Sequence, residues 1–295
     1  MRIGVALALG VACHKAPPPS PPPPAATQPV AGDCTALPFV PETPVPEASA
    51  AAWLGSDRLV VVGDSGNHGA YVIVDADTGA TVEQGQLPLG DSSDDLEGFS
   101  EHAGLFYGVI SAGWIYTWKR AGSGFELVDG PYPLGPVDLS AKKNAKKPPK
   151  TDGMVCDAHG VNCGRNYEGL CLAKSPTASG CDGYVASKSD GHLYCVAFDA
   201  NHHLAVRREG AIYVDEPARL ADCTYDDAGN LWAADNTFGL AQVFRIDAGS
   251  AVPLDKFGPG FPEVIAVRGD VFYRMSDLGG APSLMAKFRC SPIAK

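Results

Sequence analysis

The chain has 295 residues, of which 45% are hydrophobic and 19% charged, and it contains 34 Gly and 25 Pro. This composition is typical of a globular protein with many turns, and it excludes a fibrous chain or one that is disordered throughout. The 34 acidic residues outnumber the 23 Lys and Arg, so the formal net charge is −11 and nucleic acid is an unfavourable partner.

Residues 1–13 have the order of a secretory signal. Met1-Arg2 supplies a positive charge, and a short apolar core follows and ends at Cys13. The segment resembles a bacterial lipoprotein signal, which implies that Cys13 is lipidated; an ordinary cleaved signal or a misassigned start are the alternatives. No later apolar run reaches the roughly 18 residues that cross a bilayer. We therefore expect an exported protein, tethered to a membrane of the cell envelope by its lipid, in the outer membrane or periplasm.

Residues 14–48 are predicted to be a disordered, proline-rich linker. The run at 17–24 consists of seven prolines and one serine. Such a run lacks most backbone donors and favours an extended polyproline II conformation, which makes it a stiff spacer.

From about residue 50 the chain alternates short apolar runs with Gly and Asp turns, and it has no long stretch of helical periodicity. This pattern predicts an all-β domain. The predicted strands include 59–62, 71–74, 105–110, 114–118, 210–214, 243–246 and 271–273.

An acidic residue recurs at one position relative to these strands. Glu97, Asp222 and Glu263 each lie eight residues before an apolar strand. Glu168 begins a fourth copy with a delayed strand, and Ala50 occupies the same place in the first copy. Roughly five units of about 40–50 residues predict a β-propeller of five or six blades over residues 49–295, with an insertion at about 138–165. A two-sheet sandwich is the alternative.

Eight cysteines follow Cys13, and an even number in an exported chain predicts four disulfides. Closing a propeller brings the chain ends together, which predicts a terminal disulfide between Cys34 and Cys290. Proximity in sequence and the repeat pattern favour the remaining pairs as Cys156–Cys163, Cys171–Cys181 and Cys195–Cys223. The alternative is a zinc site formed by Cys156, Cys163, Cys171 and Cys181.

The repeated acids are candidate metal ligands. The innermost strand of each propeller blade lines the central channel, so a residue repeated just before it is brought to one channel mouth. Crowded carboxylates must hold protons or share a cation, and calcium suits them because it accepts oxygen ligands in flexible geometry. The alternative is that each acid accepts backbone N–H groups and fixes a blade turn. The candidate ligands are Glu97, Glu168, Asp222 and Glu263.

The motifs at 95–98 (Asp-Leu-Glu-Gly) and 166–169 (Asn-Tyr-Glu-Gly) resemble those of exported propellers called SdiA-regulated or esterase-like phytase proteins. The segment 226–235 is similar to a blade of the gluconolactonase and SMP-30 group. Both resemblances imply a propeller with a metal in or near its channel.

Three other motifs have mainly structural interpretations. Residues 63–66, Gly-Asp-Ser-Gly, are expected to be a turn and not a protease nucleophile loop. His202-His203 is expected to be a solvated pair. The basic run at 142–150 is expected to be a solvated loop, with binding to anionic lipid headgroups, lipopolysaccharide or a phosphorylated substrate as the alternative.

These observations leave three functional hypotheses. The first is a tethered binding or scaffold module with calcium in its channel and a protein, glycan or small anionic ligand at its mouth. The second is a metal-dependent hydrolase of phosphoesters or lactones, with Glu97 or Glu168 as the general base. The third is a folded domain without a ligand, which its disulfides stabilise outside the cell.

Overall fold

The computed structural model describes residues 34–139, 155–214, 219–236, 241–247, 250–280 and 282–291. The predicted signal, Cys13, the proline run and the whole basic run at 142–150 lie outside these residues. Within them the named elements are all strands, and none is a helix that could cross a membrane.

The first ten strands are β1 (Cys34–Leu37), β2 (Glu42–Thr43), β3 (Ala48–Leu54), β4 (Arg58–Gly63), β5 (Ala70–Asp75), β6 (Thr81–Gln86), β7 (Leu96–His102), β8 (Leu105–Ile110), β9 (Trp114–Ala121) and β10 (Gly124–Pro133). The remaining strands are β11 (Tyr167–Leu172), β12 (Gly183–Ser187), β13 (His192–Phe198), β14 (Leu204–Tyr213), β15 (Leu220–Tyr225), β16 (Leu231–Asp235), β17 (Gln242–Asp247), β18 (Ser250–Lys256), β19 (Phe261–Arg268), β20 (Val271–Asp277) and β21 (Ser283–Cys290).

These strands form the five blades of a β-propeller, which confirms the predicted fold class. Blades 1 to 4 are the antiparallel sheets β3–β6, β7–β10, β11–β14 and β15–β18. Blade 5 consists of β19, β20, β21 and β1, and β2 adds to the edge of β21. The inner strands β3, β7, β11, β15 and β19 each contact the next, and β19 contacts β3, so the ring is closed.

The ring is closed by the N-terminal strand. Cys34 lies opposite Cys290 in the pairing of β1 with β21, and the two residues form a disulfide. The predicted terminal bond is thus confirmed. The propeller also begins earlier than predicted, because β1 and β2 lie in the segment assigned to the linker.

The other three disulfides correct part of the predicted pairing. Cys156–Cys163 forms as expected, but Cys171 pairs with Cys223 and Cys181 with Cys195. The predicted Cys171–Cys181 and Cys195–Cys223 bonds are wrong because β11 and β15 are adjacent inner strands, and this neighbourhood outweighs proximity in sequence. All eight thiols are oxidised, so the alternative zinc site is not formed, and the protein belongs in an oxidising, exported environment.

Apolar side chains fill the spaces between neighbouring blades. On β4, Val60 and Val62 pack toward blade 2, whereas Leu59 and Val61 pack toward blade 5. Both faces of the strand are buried, which explains why its sequence is continuously apolar and does not alternate with polar residues.

The backbones of three inner strands touch one another near the middle of the channel. A Cβ atom built on Gly98 of β7 would lie 2.4 Å from the backbone nitrogen of Leu170, and one on Gly169 would lie 2.7 Å from the Cα of Asp222. Only glycine permits this approach. We call this level of the channel, marked by Gly98 and Gly169, the waist.

Replacing Gly98 with alanine is expected to lower the free energy of unfolding by about 2–3 kcal/mol, because the new methyl group must displace backbone and not a flexible side chain. Gly280→Ala is the matched control, since a Cβ there meets nothing within 4 Å. Urea denaturation of both variants measures the difference. Equal effects would show that the waist is not tightly packed.

Candidate functional site

Every inner strand carries a β-bulge near its start. The ladder between the first and second strands of each blade skips one residue, and a bulge of this kind re-aims the side chain of the skipped residue. The skipped residues in blades 1 to 5 are Ser49, Glu97, Glu168, Ala221 and Glu263.

Three of the four predicted acids meet at this level. Glu97, Glu168 and Glu263 are buried, and each offers an oxygen such that the three oxygens lie within 4.8 Å of one another. The radial arrangement of the blades therefore gathers side chains that are far apart in sequence.

Asp222 lies outside this group. Its Oδ1 accepts a hydrogen bond from the Cys223 backbone N–H (2.8 Å) and its Oδ2 accepts one from Ile265 (2.9 Å), so it links β15 to β19. These two hydrogen bonds agree with the alternative interpretation of the repeated acids, in which each acid accepts backbone N–H groups and has a structural role. The bulge of blade 4 falls on Ala221, one residue before Asp222, and so the count of eight residues identified the wrong position in that blade.

A second set of polar residues, which the sequence analysis missed, surrounds the acids. Lys188 and Asn236 each directly follow the second strand of a blade. The Lys188 Nζ lies 2.7 Å from Oε2 of Glu168 and 3.4 Å from Oε1 of Glu263. The Asn236 side-chain amide donates to the same Glu263 oxygen at 2.6 Å. The Lys188 ammonium thus already supplies a positive charge next to Glu168 and Glu263.

Asp64 follows the second strand of blade 1 and is therefore equivalent in position to Lys188. It lies in the Gly-Asp-Ser-Gly turn, where the Ser65 backbone N–H donates to its Oδ1. Asp64, Asp95 and Glu97 offer oxygens within 4.8 Å of one another. We call the channel end that holds these three residues with Glu168 and Glu263 the acid mouth.

The hydrogen bonds of this second trio are incomplete. Asp95 is fully buried, and its Oδ2 accepts from the Ser111 hydroxyl, but its Oδ1 has no hydrogen-bond partner among the described residues. Glu97 accepts from the Ser49 hydroxyl at 2.7 Å. Asp64 is only partly buried, so it is the member of this trio that faces solvent.

Burial and mutual repulsion shift the ionisation of the acid mouth. Burial, opposed by the Lys188 ammonium and reinforced by Glu263, raises the pKa of Glu168 to about 8. Burial and the neighbouring Asp95 raise the pKa of Asp64 to about 7. Burial, followed by the charge of Glu168, raises the pKa of Glu97 well above its usual value. Five carboxylates facing one ammonium must hold protons or take up a cation.

No known protein family matches the sequence, and no curated protein matches it. Solved structures do resemble it. The glutaminyl cyclase of Myxococcus xanthus superposes with a TM-score of 0.53 at 13% identity, covering 88% of this chain and 97% of that one. A luciferin-regenerating enzyme gives 0.51 at 15% identity, covering 83% and 92%.

A third neighbour is the PQQ-bound aldose sugar dehydrogenase of Streptomyces coelicolor, with a TM-score of 0.50, 14% identity, and coverage of 90% of this chain and 100% of that one. At such low identity these likenesses show the β-propeller fold alone. The resemblance to the phytase-like family has no matching sequence family to support it and stays a prediction.

Proposed function

We propose that the protein is an exported binding module whose acid mouth holds a divalent cation, calcium in the first instance, and uses it to bind a small anionic ligand, a glycan or a protein group. The observation that carries this proposal is the surplus of five carboxylates over one ammonium in a largely buried space. The tether through Cys13 is part of the same proposal and rests on residues 1–24 of the sequence.

The surroundings of the carboxylates favour one half of the mouth for the ion. Lys188 already forms ion pairs with Glu168 and Glu263, whereas Asp64, Asp95 and Glu97 have no ammonium or guanidinium within ion-pair distance among the described contacts. All donors of this trio are carboxylate oxygens, which suit calcium or magnesium better than zinc.

The unpartnered Oδ1 of Asp95 supports the same position. A buried carboxylate oxygen without a partner is costly, and a bound cation would remove that cost. Asp64 lies at the solvent side, so a ligand oxygen can approach the ion past it.

Calcium is expected to raise the melting temperature of the parent by about 5–10 °C at a hundredfold excess over the dissociation constant. Asp95→Asn and Glu97→Gln should abolish the increase because each removes a charged ligand. Glu263→Gln is the matched control and should keep it, since Lys188 and Asn236 hold Glu263 away from the ion. Thermal melting with and without chelator measures all four proteins.

Two results would contradict the proposal. An unchanged parent melting temperature across millimolar calcium and magnesium would remove the cation altogether. Loss of the response in Glu263→Gln but not in Asp95→Asn would move the ion to the trio of Glu97, Glu168 and Glu263.

The alternative is a metal-dependent hydrolase of phosphoesters or lactones. Asp64 favours it, because a partly exposed carboxyl group with a pKa of about 7 can give up or accept a proton near neutral pH. Glu97 and Glu168, the earlier candidates for the general base, are more deeply buried. Calcium-dependent turnover of p-nitrophenyl phosphate or a simple lactone, lost in Asp64→Asn, would establish the enzyme.

A further inference from the structure

A cavity of about 800 Å³ opens at the channel end opposite the acid mouth. All five inner strands or the loops that follow them line it, and its volume is within the range of small-molecule sites. We call it the far cavity.

The waist separates the far cavity from the acid mouth. Phe99 and Leu170 line the cavity and directly follow Gly98 and Gly169, whereas Glu97 and Glu168 of the acid mouth directly precede those glycines. A ligand in the far cavity is thus held by residues other than those of the proposed cation site.

Lys174 and Arg268 bring two positive charges close together at one edge of the cavity. The Asp227 carboxylate lies 3.0 Å from the Nζ of Lys174 and 3.3 Å from the Nε of Arg268, so two cations share one anion. The lining also holds Glu101 and Asp226, so its acids outnumber its cations by three to two and the positive charge is confined to the edge formed by Lys174 and Arg268. At that edge the two cations favour an anionic group as the ligand's polar end.

Arg268 is held in place before any ligand arrives. Its guanidinium lies 3.6 Å over the ring of Trp53, and its Nη2 donates to the Gly55 carbonyl at 3.1 Å. Tyr273 packs edge-on against the same indole. A guanidinium that is already fixed loses less conformational entropy on binding a carboxylate than a mobile guanidinium does.

The remaining acids of the lining are committed to turns. Asp226 accepts from the backbone N–H groups of Ala228 and Asn230 and from the Trp232 indole. Glu101 is exposed and accepts from the Gly104 N–H at 2.7 Å. Because these hydrogen bonds direct both carboxylates toward their own loops, Asp226 and Glu101 repel a bound anion less than two freely oriented carboxylates would.

The deep part of the cavity is apolar. Its lining includes Ala51, Phe99, Leu170 and the Cys171–Cys223 disulfide, all of them buried or nearly so. Such a surface favours a hydrocarbon group over a second charge.

We propose that the far cavity binds a small organic carboxylate with an apolar body. The carboxylate lies against Lys174 and Arg268, and the apolar body covers the floor made by Leu170 and the disulfide. This site is independent of the proposed function at the acid mouth.

Isothermal titration with 3-phenylpropionate and with 3-phenylpropionamide tests the proposal. The acid should bind at least about tenfold more tightly than the amide, which has the same shape but no charge. Arg268→Gln and Lys174→Gln should weaken binding of the acid, whereas Asp227→Asn should strengthen it because both cations are then free. The matched control is Lys119→Gln, an exposed lysine paired with Glu126 outside the cavity.

Three results would overturn the proposal. They are equal affinity for acid and amide, no saturable binding of the acid below about 10 mM, or Arg268→Gln binding like the parent while its melting temperature is unchanged. Glu97→Gln distinguishes the far cavity from the acid mouth. This variant should bind 3-phenylpropionate normally. Loss of binding in it would place the probe at the acid mouth and overturn the proposed site.

Discussion

Replacing both Cys34 and Cys290 with serine is expected to lower the free energy of unfolding by about 5 kcal/mol, because the bond closes a very long loop whose entropy the unfolded chain would regain. The two cysteines are 256 residues apart in sequence. The bond also fixes β1 against β21, so its loss frees the strand that completes blade 5. Urea denaturation under non-reducing conditions measures the effect.

The control is the Cys156→Ser, Cys163→Ser double variant, whose bond spans only 7 residues. The same loop-entropy argument gives about 2–3 kcal/mol for it. If the two double variants were destabilised equally, loop closure would not be the source of the stability, and local strain or packing at each cysteine would have to explain both losses.

The sequence was sufficient for the fold because a propeller repeats one local pattern around an axis. The spacing of Glu97 and Glu263 from their strands predicted the unit, and Cys34 and Cys290 predicted the closure. The same count was wrong at Asp222, because the bulge that aims a side chain into the channel fell on Ala221. A one-residue shift in a bulge has no signature in residue spacing.

The acid mouth was only half predictable for a different reason. Glu97 and Glu168 are on inner strands and recur in register, but Asp64 and Lys188 come from the ends of second strands and share no residue type. Their position is equivalent, one after β4 and one after β12, while their charges are opposite. A search for repeated acids overlooks a position that holds Asp in one blade and Lys in another.

The disulfide pairs were also only partly predictable from the sequence. Cys171 and Cys223 are 52 residues apart in sequence, yet they lie on adjacent inner strands. Pairing by proximity in sequence works within a loop, as for Cys156 and Cys163, and fails where the ring brings blades together.

In the presence of a chelator, the free energy of unfolding is expected to fall as the pH rises from about 5 to about 8. The pKa of Glu168 is raised from 4.5 to about 8 in the folded protein. Between these values the folded state holds a proton that the unfolded state has lost, so stability decreases with pH by about 1.4 kcal/mol per unit for each such proton. Asp64 and Glu97 shift in the same direction and steepen the slope.

Glu168→Gln should remove the contribution of about one proton from this slope. Asp75→Asn should leave the slope unchanged, because the pKa of Asp75 is lowered and this group titrates below the pH window. Saturating calcium should make the slope in the parent less steep, since an ion on Asp64, Asp95 and Glu97 keeps them charged in the folded state and leaves mainly the contribution of Glu168. Chemical denaturation at several pH values, with chelator and then with calcium, gives all of these slopes. A stability that rises with pH in chelator would mean that the folded acid mouth prefers its ionised form without any metal, and the electrostatic reason for a cation there would be gone.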